Sequence, residues 1–564
     1  MTEQQTQEPK TESAKSMKAM SLKAKCLKLD ARDNVGVALE DLSVGEECVL
    51  DGQRLRVAEP VPAKHKFALE PLTTGAAVTM YGVLVGRART AIPVGGLLKT
   101  ANLAHESAEF SPGRQSRSAW AGPDVARWRE ATFEGYRRAD GQVGTRNYWL
   151  VIPLVFCENR NVEALRDAFE EELGYARTRQ YRAQVSRLVA DWRGGSESHQ
   201  SGVAPSASRR VFEHLDGIRF LTHQGGCGGT RDDARALCGL LAGYIHHPNV
   251  AGATVLSLGC QHAQPAMLRE ELEKRGETGK PVLVFTQQEA GTEQALLERA
   301  IAETFAALAK ANEARRAPAP LSALAVGLKC GGSDGFSGIS ANPAIGHLSD
   351  LVVALGGRTI LSEFPELCGV EQELIDRCQT DEDAQRFASL MRAYEARARA
   401  VDSGFEMNPS PGNIRDGLVT DAMKSAGAAR KGGTAPVADV LDYPEYMRRA
   451  GLTLLCTPGN DVEAVTGQVG AGATVVLFTT GLGTPTGNPI APVIKLATNA
   501  RLAQRMPDII DVDTSAILRG EATVEAMGEQ ILAEVIEVAS GRRQTQAERL
   551  RQEDFIPWKR GVSL

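Results

Sequence analysis

The sequence predicts an α/β protein that begins with a small all-β domain. Between residues 21 and 105, short apolar runs such as 35–39 and 77–81 alternate with turns that contain glycine. Strands at that spacing are typical of a small β domain. From about residue 131, apolar strand candidates alternate with helix-length amphipathic segments. That alternation favours largely parallel sheets covered by helices.

Four segments complete the expected domain plan. Residues 1–20 are polar and contain no apolar core, so we interpret them as a disordered tail rather than a signal peptide. Residues 106–130 show little periodicity and are interpreted as a linker. The strand and helix candidates that follow divide into an α/β domain at 131–400 and a carboxy-terminal α/β domain with a helical tail at 401–564.

Composition and charge argue against several functional classes. The 564 residues are 43% apolar and 24% charged, which is enough for several packed domains. The net charge of −6 and the absence of a long basic block argue against a nucleic-acid partner. No apolar run is long enough to predict a membrane span. The ten cysteines are scattered without a C-x-x-C motif or an export signal, which predicts a cytoplasmic location.

The segment 327–343 is the strongest candidate for a ligand site. It follows an apolar run at 321–328, and a helix-like segment follows it. Open α/β sheets bind ligands at such strand–turn–helix junctions, outside the carboxyl ends of the strands. An ordinary polar loop is the alternative, but turns seldom require lysine, cysteine and aspartate together. The candidate residues in this segment are Lys329, Cys330, Ser333, Asp334, Ser337 and Asn342.

Three predicted strand ends carry a cysteine in a glycine-rich turn. These cysteines are Cys227, Cys260 and Cys330, and His223 and His262 lie close to the first two in sequence. If the strands belong to one parallel sheet, the turns meet at one edge. Thiolates and imidazoles suit iron or zinc, although a single free cysteine is more often a small buried hydrophobe. The cysteines expected to be core or incidental are Cys26, Cys48, Cys157, Cys238, Cys378 and Cys456.

Two further polar clusters are candidate binding loops. The glycine-rich loop 478–489 lacks the lysine of a Walker A motif and the spacing of a dinucleotide fingerprint. Its hydroxyls and backbone N–H groups suit a carboxylate or a polyol. The cluster 135–147 contains arginines able to clamp carboxylates, or it is a surface turn. The candidate residues are Thr479, Thr480, Gly481 and Thr484 in the loop, and Arg137, Arg146 and Asn147 in the cluster.

Taken in order, these motifs resemble the altronate/galactarate dehydratase family over about residues 25–535. The segments 363–366, 411–413 and 431–433 belong to the same resemblance. The resemblance implies an amino-terminal β-clip domain of the SAF type followed by Rossmann-like α/β domains. It also implies removal of water from a sugar acid, an aldonate or aldarate such as altronate or galactarate, to give a 2-keto-3-deoxy acid. The implied cofactor is a divalent metal, ferrous iron or else manganese.

One departure from the family pattern leaves the reaction open. SAF domains of this family keep a histidine near residue 65, as His65 here, and a His-x-His-Asn motif near the end of the domain. This chain has Lys99, Thr100, Ala101 and Asn102 at that place, so both later histidines are missing. Related sulfolactate sulfo-lyases expel sulfite from the same scaffold. A carbon–sulfur lyase and a non-catalytic sugar-acid binder are therefore the alternatives to a hydro-lyase.

Proton abstraction next to a carboxylate requires a base and positive charge at the carboxylate. Lys329 is the first candidate base, because burial lowers the pKa of a lysine. We favour a single divalent ion over an iron–sulfur cluster held by the three strand-end cysteines. We also expect a small hydroxy-acid substrate and a homodimer. The remaining catalytic candidates are His223, His262 and Asp334, and the candidate metal ligands are Cys227, Cys260, Cys330, Glu366 and His65.

Overall fold

A computed structural model describes residues 25–116, 119–176, 180–193 and 209–563. The expected tail at 1–20 lies outside these residues. The amino-terminal part contains eight short strands in three small antiparallel sheets, ordered β1-β2-β5, β3-β4 and β6-β7-β8. The strands are β1 Cys26–Leu27, β2 Val35–Ala38, β3 Glu47–Leu50, β4 Gln53–Arg56, β5 Lys66–Ala68, β6 Ala77–Met80, β7 Val83–Ala88 and β8 Leu103–Ala104.

The second part is built on a four-stranded parallel sheet in the order β12-β11-β13-β14, beside a small antiparallel sheet in the order β10-β9-β15. Its strands are β9 Thr132–Arg137, β10 Val143–Gly144, β11 Tyr148–Pro153, β12 Gly217–Phe220, β13 Val250–Ser257, β14 Val282–Thr286 and β15 Arg316–Pro320. Its helices are α1 Asn159–Glu172, α2 Gln180–Trp192, α3 Arg231–His246, α4 Pro265–Arg275, α5 Gln287–Ala290 and α6 Glu293–Ala311.

The third part is built on a seven-stranded parallel sheet in the order β18-β19-β17-β16-β20-β21-β22. Its strands are β16 Ala325–Cys330, β17 Arg358–Leu361, β18 Val437–Leu441, β19 Gly451–Leu455, β20 Val475–Thr480, β21 Val493–Ala497 and β22 Val512–Asp513. Its helices are α7 Ala341–Ala354, α8 Glu371–Arg377, α9 Asp381–Arg399, α10 Pro411–Arg415, α11 Asp421–Ala429, α12 Asp461–Gly470, α13 Ala500–Arg505, α14 Val524–Ala539 and α15 Gln546–Arg549.

These elements confirm the predicted fold class, an all-β domain followed by parallel α/β sheets. The sequence predicts a domain boundary near residue 400. The seven-stranded sheet contains strands from both sides of that position, because β16 and β17 belong to the same sheet as strands that follow residue 436. Among the described residues, no helix is long and apolar enough to cross a membrane.

The central strands of the large sheet are buried on both faces. Val326 and Leu328 of β16 pack with α7 and α14, whereas Ala325 belongs to the core shared with α12 and α3. The strand starts at Ala325, later than predicted, and continues through Lys329 and Cys330, because these two residues pair with β20. Lys329 and Cys330 are therefore held by a sheet rather than by a loop.

Lysines of the amino-terminal domain tie it to the large α/β part. The Lys64 ammonium lies 2.6 Å from Asp416 and 3.1 Å from the fully buried Asp334. Lys66 is also buried and donates a hydrogen bond to the backbone carbonyl of Gly417 at 2.7 Å. Gly335 lies so close to Lys64 that a Cβ there would be 2.2 Å from the Lys64 carbonyl oxygen. The two parts are thus joined by charge and by close backbone contact.

Replacing Lys64 with Met should lower the free energy of unfolding by about 3–5 kcal/mol, because the buried carboxylate of Asp334 loses its cation. Urea denaturation measures this change. Lys99→Met is the matched control, since Lys99 pairs with Glu59 at 2.9 Å on the surface and exposed ion pairs contribute only about 0–1 kcal/mol. Equal losses in the two variants would contradict the proposed junction.

Candidate functional site

The candidate site lies where the order of the large sheet reverses. β16 pairs with β17 on one side and with β20 on the other, so the chain leaves β16 in one direction and returns later to its opposite edge. Crevices at such switch points, at the carboxyl ends of the strands, bind ligands in open α/β sheets. Lys329 and Cys330 end β16 at this point, beside Phe478 and Thr479 of β20.

Two glutamates enter the site from the segment after β17. Glu363 has a φ of 69° and a ψ of 57°, in the left-handed region that non-glycine residues rarely adopt. Its backbone N–H donates to the Thr457 hydroxyl at 3.0 Å, which holds this conformation. A short helical turn, Phe364–Leu367, then carries Glu366. Backbone strain of this kind tends to occur at functional sites.

Lys329 and Lys431 share the Glu363 carboxylate. Lys329 donates to one carboxylate oxygen of Glu363, and its ammonium also lies 2.9 Å from Asp461. Lys431 donates to the other oxygen at 2.6 Å and lies 2.9 Å from the sulfur of Cys330. Lys329, Glu363 and Lys431 are almost completely buried. Each charge in this group therefore depends on its neighbours rather than on water.

A third lysine completes the cluster. Lys424 of α11 donates to Glu366 at 2.8 Å and to Asn408 at 2.6 Å. The second oxygen of Glu366 lies 3.6 Å from the sulfur of Cys330. Three ammonium groups thus face three carboxylates, and the formal charges balance. We call this set the lysine–carboxylate cluster; its members are Lys329, Lys424, Lys431, Glu363, Glu366 and Asp461.

The cluster reaches solvent on the side of Asp461. The Asp461 side chain is 28% exposed, whereas those of Lys329 and Glu363 are 0% exposed. Asp461 begins α12, which Asn460 caps by accepting two backbone N–H groups. A Cβ at residue 331 would lie about 2.5 Å from the Asp461 carboxylate, so only Gly331 allows this close approach. Access for a ligand is therefore expected past Asp461.

The expected lowering of the Lys329 pKa is reversed. Burial lowers the pKa of Lys329, but the carboxylates of Asp461, Glu363 and Glu366 raise it more, so the net pKa lies well above the usual value. Lys329 is consequently a stable cation in this cluster. It suits charge stabilisation or proton donation better than proton abstraction.

The two buried glutamates have opposite pKa shifts. Burial raises the pKa of Glu363, and Lys329 and Lys431 only partly oppose this shift. Burial also acts on Glu366, but the ammonium groups of Lys424, Lys329 and Lys431 outweigh it and hold its pKa below the usual value. Carboxyl groups whose pKa values are separated in this way typically divide acid–base work and charge work between them.

One group of side chains is spaced closely enough to bind a metal ion: Cys330, Glu363 and Glu366. Their ligand atoms lie within 4.8 Å of one another, and they form the one such group among the described residues. However, lysine ammonium groups already contact all three side chains, and burial raises the pKa of the Cys330 thiol to about 11. A metal requires deprotonated, available donors. The donors as arranged therefore fit three ammonium groups better than a divalent ion.

Asp334 organises the two glycine-rich loops. Its carboxylate accepts hydrogen bonds from Ser337 at 3.0 Å, from Thr498 at 3.0 Å and from Asn499 at 3.1 Å, in addition to its contact with Lys64. A Cβ on Gly481 would lie 2.2 Å from the carboxyl carbon of Asp334, so glycine is needed there. The expected roles of Asp334 and Ser337 in chemistry and binding stay predictions, but their contacts are structural.

The other candidates in the two loops also contact protein groups. Thr479 donates to Asn342 at 2.6 Å. The backbone carbonyl of Ser333 accepts from Asn413 of α10 at 2.7 Å. The Thr480 hydroxyl accepts the backbone N–H of Thr484 at 3.3 Å. These residues lie beside the cluster and support the loops around it; their direct contact with a substrate stays a prediction.

Several predicted site residues lie elsewhere. Cys227 and Cys260 are exposed at the carboxyl edge of the four-stranded sheet, whereas Cys330 is buried in the other sheet. His262 is exposed beside Cys260, and His65 is half-buried near the Lys64 junction. The structure therefore does not place Cys227 and Cys260 with Cys330 in one compact metal group among the described residues.

His223 has a structural environment. Its Nε2 lies 2.8 Å from the carbonyl oxygen of Pro153, to which it donates, and its Nδ1 accepts the backbone N–H of Gly225 at 3.1 Å. Burial lowers the pKa of His223 to about 4. Both ring nitrogens are thus engaged, and the imidazole is neutral at physiological pH. This arrangement favours a positioning role for His223 over catalysis.

The arginine cluster joins domains. Arg146 is buried and forms a two-point ion pair with Glu548 at 2.7 and 3.0 Å. Asn147 is also buried and accepts from Arg138 at 3.0 Å. Arg137 is exposed and donates to the backbone carbonyl of Pro318. The side chains expected to clamp a substrate carboxylate therefore already have protein partners.

The sequence predictions omitted four members of the cluster. Glu363 and Lys431 lie in segments that belong to the family resemblance, and that was their available signal. Asp461 begins α12, after the turn with Gly459 that follows β19, so its available signal was a strand–turn–helix junction like the one after β16. Lys424 lies within a helix and carries no such signal.

Comparison with known proteins gives the family. The altronate/galactarate dehydratase SAF domain matches residues 24–106, and the second domain of D-galactarate dehydratase/altronate hydrolase matches residues 135–312. The carboxy-terminal domain of D-galactarate/altronate dehydratase matches residues 321–563. The chain belongs to the altronate/galactarate dehydratase family. The resemblance inferred from the motifs is thereby confirmed.

Relatives within the altronate/galactarate dehydratase family cover almost the whole chain. Altronate dehydratase of Escherichia coli (strain K12) is 33% identical over 538 residues, which is 95% of this chain and 99% of the relative. Altronate dehydratase of Bacillus subtilis (strain 168) is 32% identical over 543 residues, with the same coverage of 95% and 99%. Galactarate dehydratase (L-threo-forming) of Escherichia coli (strain K12) is 30% identical over 526 residues, 92% of this chain and 93% of the relative.

Replacing Arg146 with Met should lower the free energy of unfolding by about 3–5 kcal/mol, because the substitution breaks a buried ion pair. Chemical denaturation tests this. Arg137→Met is the matched control, since Arg137 is exposed and exposed substitutions usually change stability by about 0.5 kcal/mol or less. A stable Arg146→Met protein with a strongly raised KM would instead favour the substrate-binding role.

Proposed function

We propose that this protein is a hydro-lyase that removes water from a sugar acid, an aldonate or aldarate such as altronate or galactarate. The proposed product is a 2-keto-3-deoxy acid. The observation that supports this most is the buried lysine–carboxylate cluster at the switch point of the seven-stranded sheet. Full-length relatives named as altronate dehydratases support the same reaction class.

The cluster supplies the positive charge that the reaction requires. Removing the hydrogen next to a carboxylate produces an enediolate-like dianion. Lys329 and Lys431 hold their ammonium groups on opposite oxygens of Glu363, at a point that water does not reach. Fixed positive charges in such an environment stabilise a developing anion more strongly than water does. The substrate carboxylate would enter past Asp461 and meet these two cations.

Glu363 is the proposed proton acceptor. Of the two buried glutamates in the cluster it is the one whose pKa is raised, and a raised pKa makes a carboxylate a stronger base near neutral pH. The C2–H bond breaks and its proton passes to Glu363. The C3–O bond then breaks, and the hydroxide takes a proton from the Lys329 ammonium and leaves as water. The resulting enol ketonises to the 2-keto-3-deoxy acid. Glu363 then passes its proton to Lys329, its hydrogen-bond partner, which restores the starting protonation state of both groups.

A divalent metal, ferrous iron or manganese, stays a prediction for this protein. Such an ion would act as a Lewis acid toward a substrate oxygen. Because the Cys330, Glu363 and Glu366 donors are engaged by lysines, no step above depends on an ion at that place. The predicted homodimer and cytoplasmic location likewise remain predictions.

The alternative functions are less well supported. A carbon–sulfur lyase would share the proton abstraction and differ only in its leaving group. A non-catalytic binder would need no base, yet the buried base and cations are present together. The relatives that match 95% of the chain are named as dehydratases, which favours the hydro-lyase.

Purified protein should convert at least one member of a panel of aldonates and aldarates into a 2-keto-3-deoxy acid. The panel is incubated anaerobically without metal, with ferrous iron and with manganese, and the keto acid is measured by chromatography. A sulfonated hydroxy acid is included, and sulfite release from it alone would favour the carbon–sulfur lyase. No product from any acid under any metal condition would contradict the proposed reaction.

Replacing Glu363 with Gln should lower kcat about 10²- to 10⁴-fold, the usual contribution of a positioned general base. The amide keeps the shape of the side chain but not its charge, and a buried ammonium group then lacks a counter-charge. The free energy of unfolding of the variant is therefore measured beside kcat, at a temperature where the variant is folded. Exchange of the C2 hydrogen with deuterated solvent should be lost in parallel. Glu371→Gln is the matched control, because Glu371 is a buried glutamate outside the cluster that accepts the backbone N–H of Gly369 at 2.6 Å. Full turnover in the Glu363→Gln variant would remove this residue from the proton transfer.

A further inference from the structure

Three of the ten cysteines are exposed, and all three follow neighbouring strands of the four-stranded sheet. Cys157 follows β11, Cys227 follows β12 and Cys260 follows β13. β11 lies between β12 and β13, so Cys157 is flanked by the other two. Exposure of one free thiol is unusual, since cysteine is among the most buried residue types. The seven other cysteines are buried: Cys26, Cys48, Cys238, Cys330, Cys368, Cys378 and Cys456.

Hydrogen bonds join the three segments that carry these thiols. The backbone N–H of Phe156, next to Cys157, donates to the carbonyl of Gly225 at 3.1 Å. The carbonyl of Gly226, next to Cys227, accepts from the backbone N–H of Ala263 in the Cys260 loop at 3.0 Å. Strands that neighbour each other in a sheet lie about 4.8 Å apart. The three loops therefore form one continuous surface at the carboxyl edge of the sheet.

Glycines permit this close approach. Gly226 has a φ of 97°, and a Cβ there would lie 2.0 Å from the carbonyl oxygen of Leu154. Gly228, on the other side of Cys227, has a φ of 66°, and Gly259, before Cys260, has a φ of 126°. His223 reinforces the arrangement through its bonds to the end of β11 and to its own loop. Glycines with positive φ angles thus flank two of the three cysteines, Cys227 and Cys260.

Backbone donors at this edge are available to a ligand. Among the described residues, the N–H groups of Cys227, Gly228 and Cys260 donate to no protein acceptor. Concave sets of free N–H groups next to left-handed glycines bind anions, and iron–sulfur sites use them to contact inorganic sulfide. The edge therefore offers three thiols together with donors for the sulfides of a cluster.

The spacing favours a cluster over a single ion. The three sulfurs do not form a group within 4.8 Å of one another among the described residues. Ligands of one zinc ion lie closer, since each sulfur is about 2.3 Å from the metal. In a cluster, each thiolate binds a different iron atom, so the sulfurs are further apart. No disulfide joins these cysteines, all of which are free.

We propose that Cys157, Cys227 and Cys260 bind a 4Fe–4S cluster whose fourth iron has no cysteine ligand from this chain. The seven buried cysteines leave no other exposed thiol for that iron. This set replaces the expected combination of Cys227, Cys260 and Cys330, because Cys330 belongs to the other sheet. An iron without a protein sulfur can accept an oxygen ligand such as water or a hydroxy acid. The proposal concerns metal binding and does not depend on the proposed dehydratase reaction.

The test is reconstitution of the full-length protein under nitrogen with equal amounts of ferrous and ferric iron and with sulfide. These are the oxidation states that a 4Fe–4S cluster with a charge of 2+ contains. The expected result is about four irons and four acid-labile sulfides per chain, with a brown colour. Each of three serine variants should lose most of the bound sulfide: Cys157→Ser, Cys227→Ser and Cys260→Ser. The matched control, Cys238→Ala, removes a buried cysteine of the same domain and should keep it.

Alkylation provides a second readout that needs no variant. In the metal-free protein, mass spectrometry should find the three exposed cysteines modified by iodoacetamide. After reconstitution, all three should be protected together. Equal melting temperatures of the metal-free variants and the metal-free wild type would show that the serine substitutions keep the fold. Iron bound without sulfide, protection of fewer than three thiols, or full sulfide content in the serine variants would each overturn the proposal.

Discussion

The contact between Lys329 and Glu363 is the interaction on which the rest of the site depends. Both side chains are fully buried, and a buried charge is tolerated only when it is paired and hydrogen-bonded. One pair is not sufficient here, because Glu363 has two oxygens and Glu366 lies close by. Lys431 and Lys424 supply the further cations, and Asp461 balances them. The carboxyl ends of β16, β17 and β19 therefore have to meet with α11 and α12 for any member of the cluster to be stable.

The fold could largely be predicted from the sequence. The central strands are buried on both faces, so they are continuous apolar runs, and the apolar run at 321–328 overlaps β16. The sequence also predicts that β16 ends at a polar edge of the sheet. A lysine and a cysteine at the end of an apolar run indicate that the strand is leaving the apolar core. What the pattern could not show is that Lys329 and Cys330 still pair with β20. Backbone pairing with a distant strand leaves no mark in the local sequence.

The partners within the site could be predicted much less well. Burial alone predicts a lowered pKa for Lys329, but three carboxylates that are 34, 37 and 132 positions away in the chain surround the ammonium and raise its pKa. Lys424 has no local signal at all, since a lysine in a helix is usually at the surface. A residue type predicts that a group is charged or reactive. Only the topology shows which counter-charge it meets, and the counter-charge decides the direction of the pKa shift.

The cysteines show the same limitation at the level of whole sheets. The strand-end pattern predicts that Cys227, Cys260 and Cys330 converge only if their strands belong to one sheet. The chain instead builds two parallel sheets, which separates Cys330 from Cys227 and Cys260 and brings in Cys157, whose segment lacks the flanking glycines of the others. Each sheet then has a different electrostatic character. Lysines supply the positive charge beside Cys330, whereas the exposed thiols of the smaller sheet have no ammonium partner among the described residues. Soft thiolates without a competing cation are the donors that iron prefers. Because the acid–base cluster and the exposed thiols lie on different sheets, the candidate iron site is separate from the acid–base site.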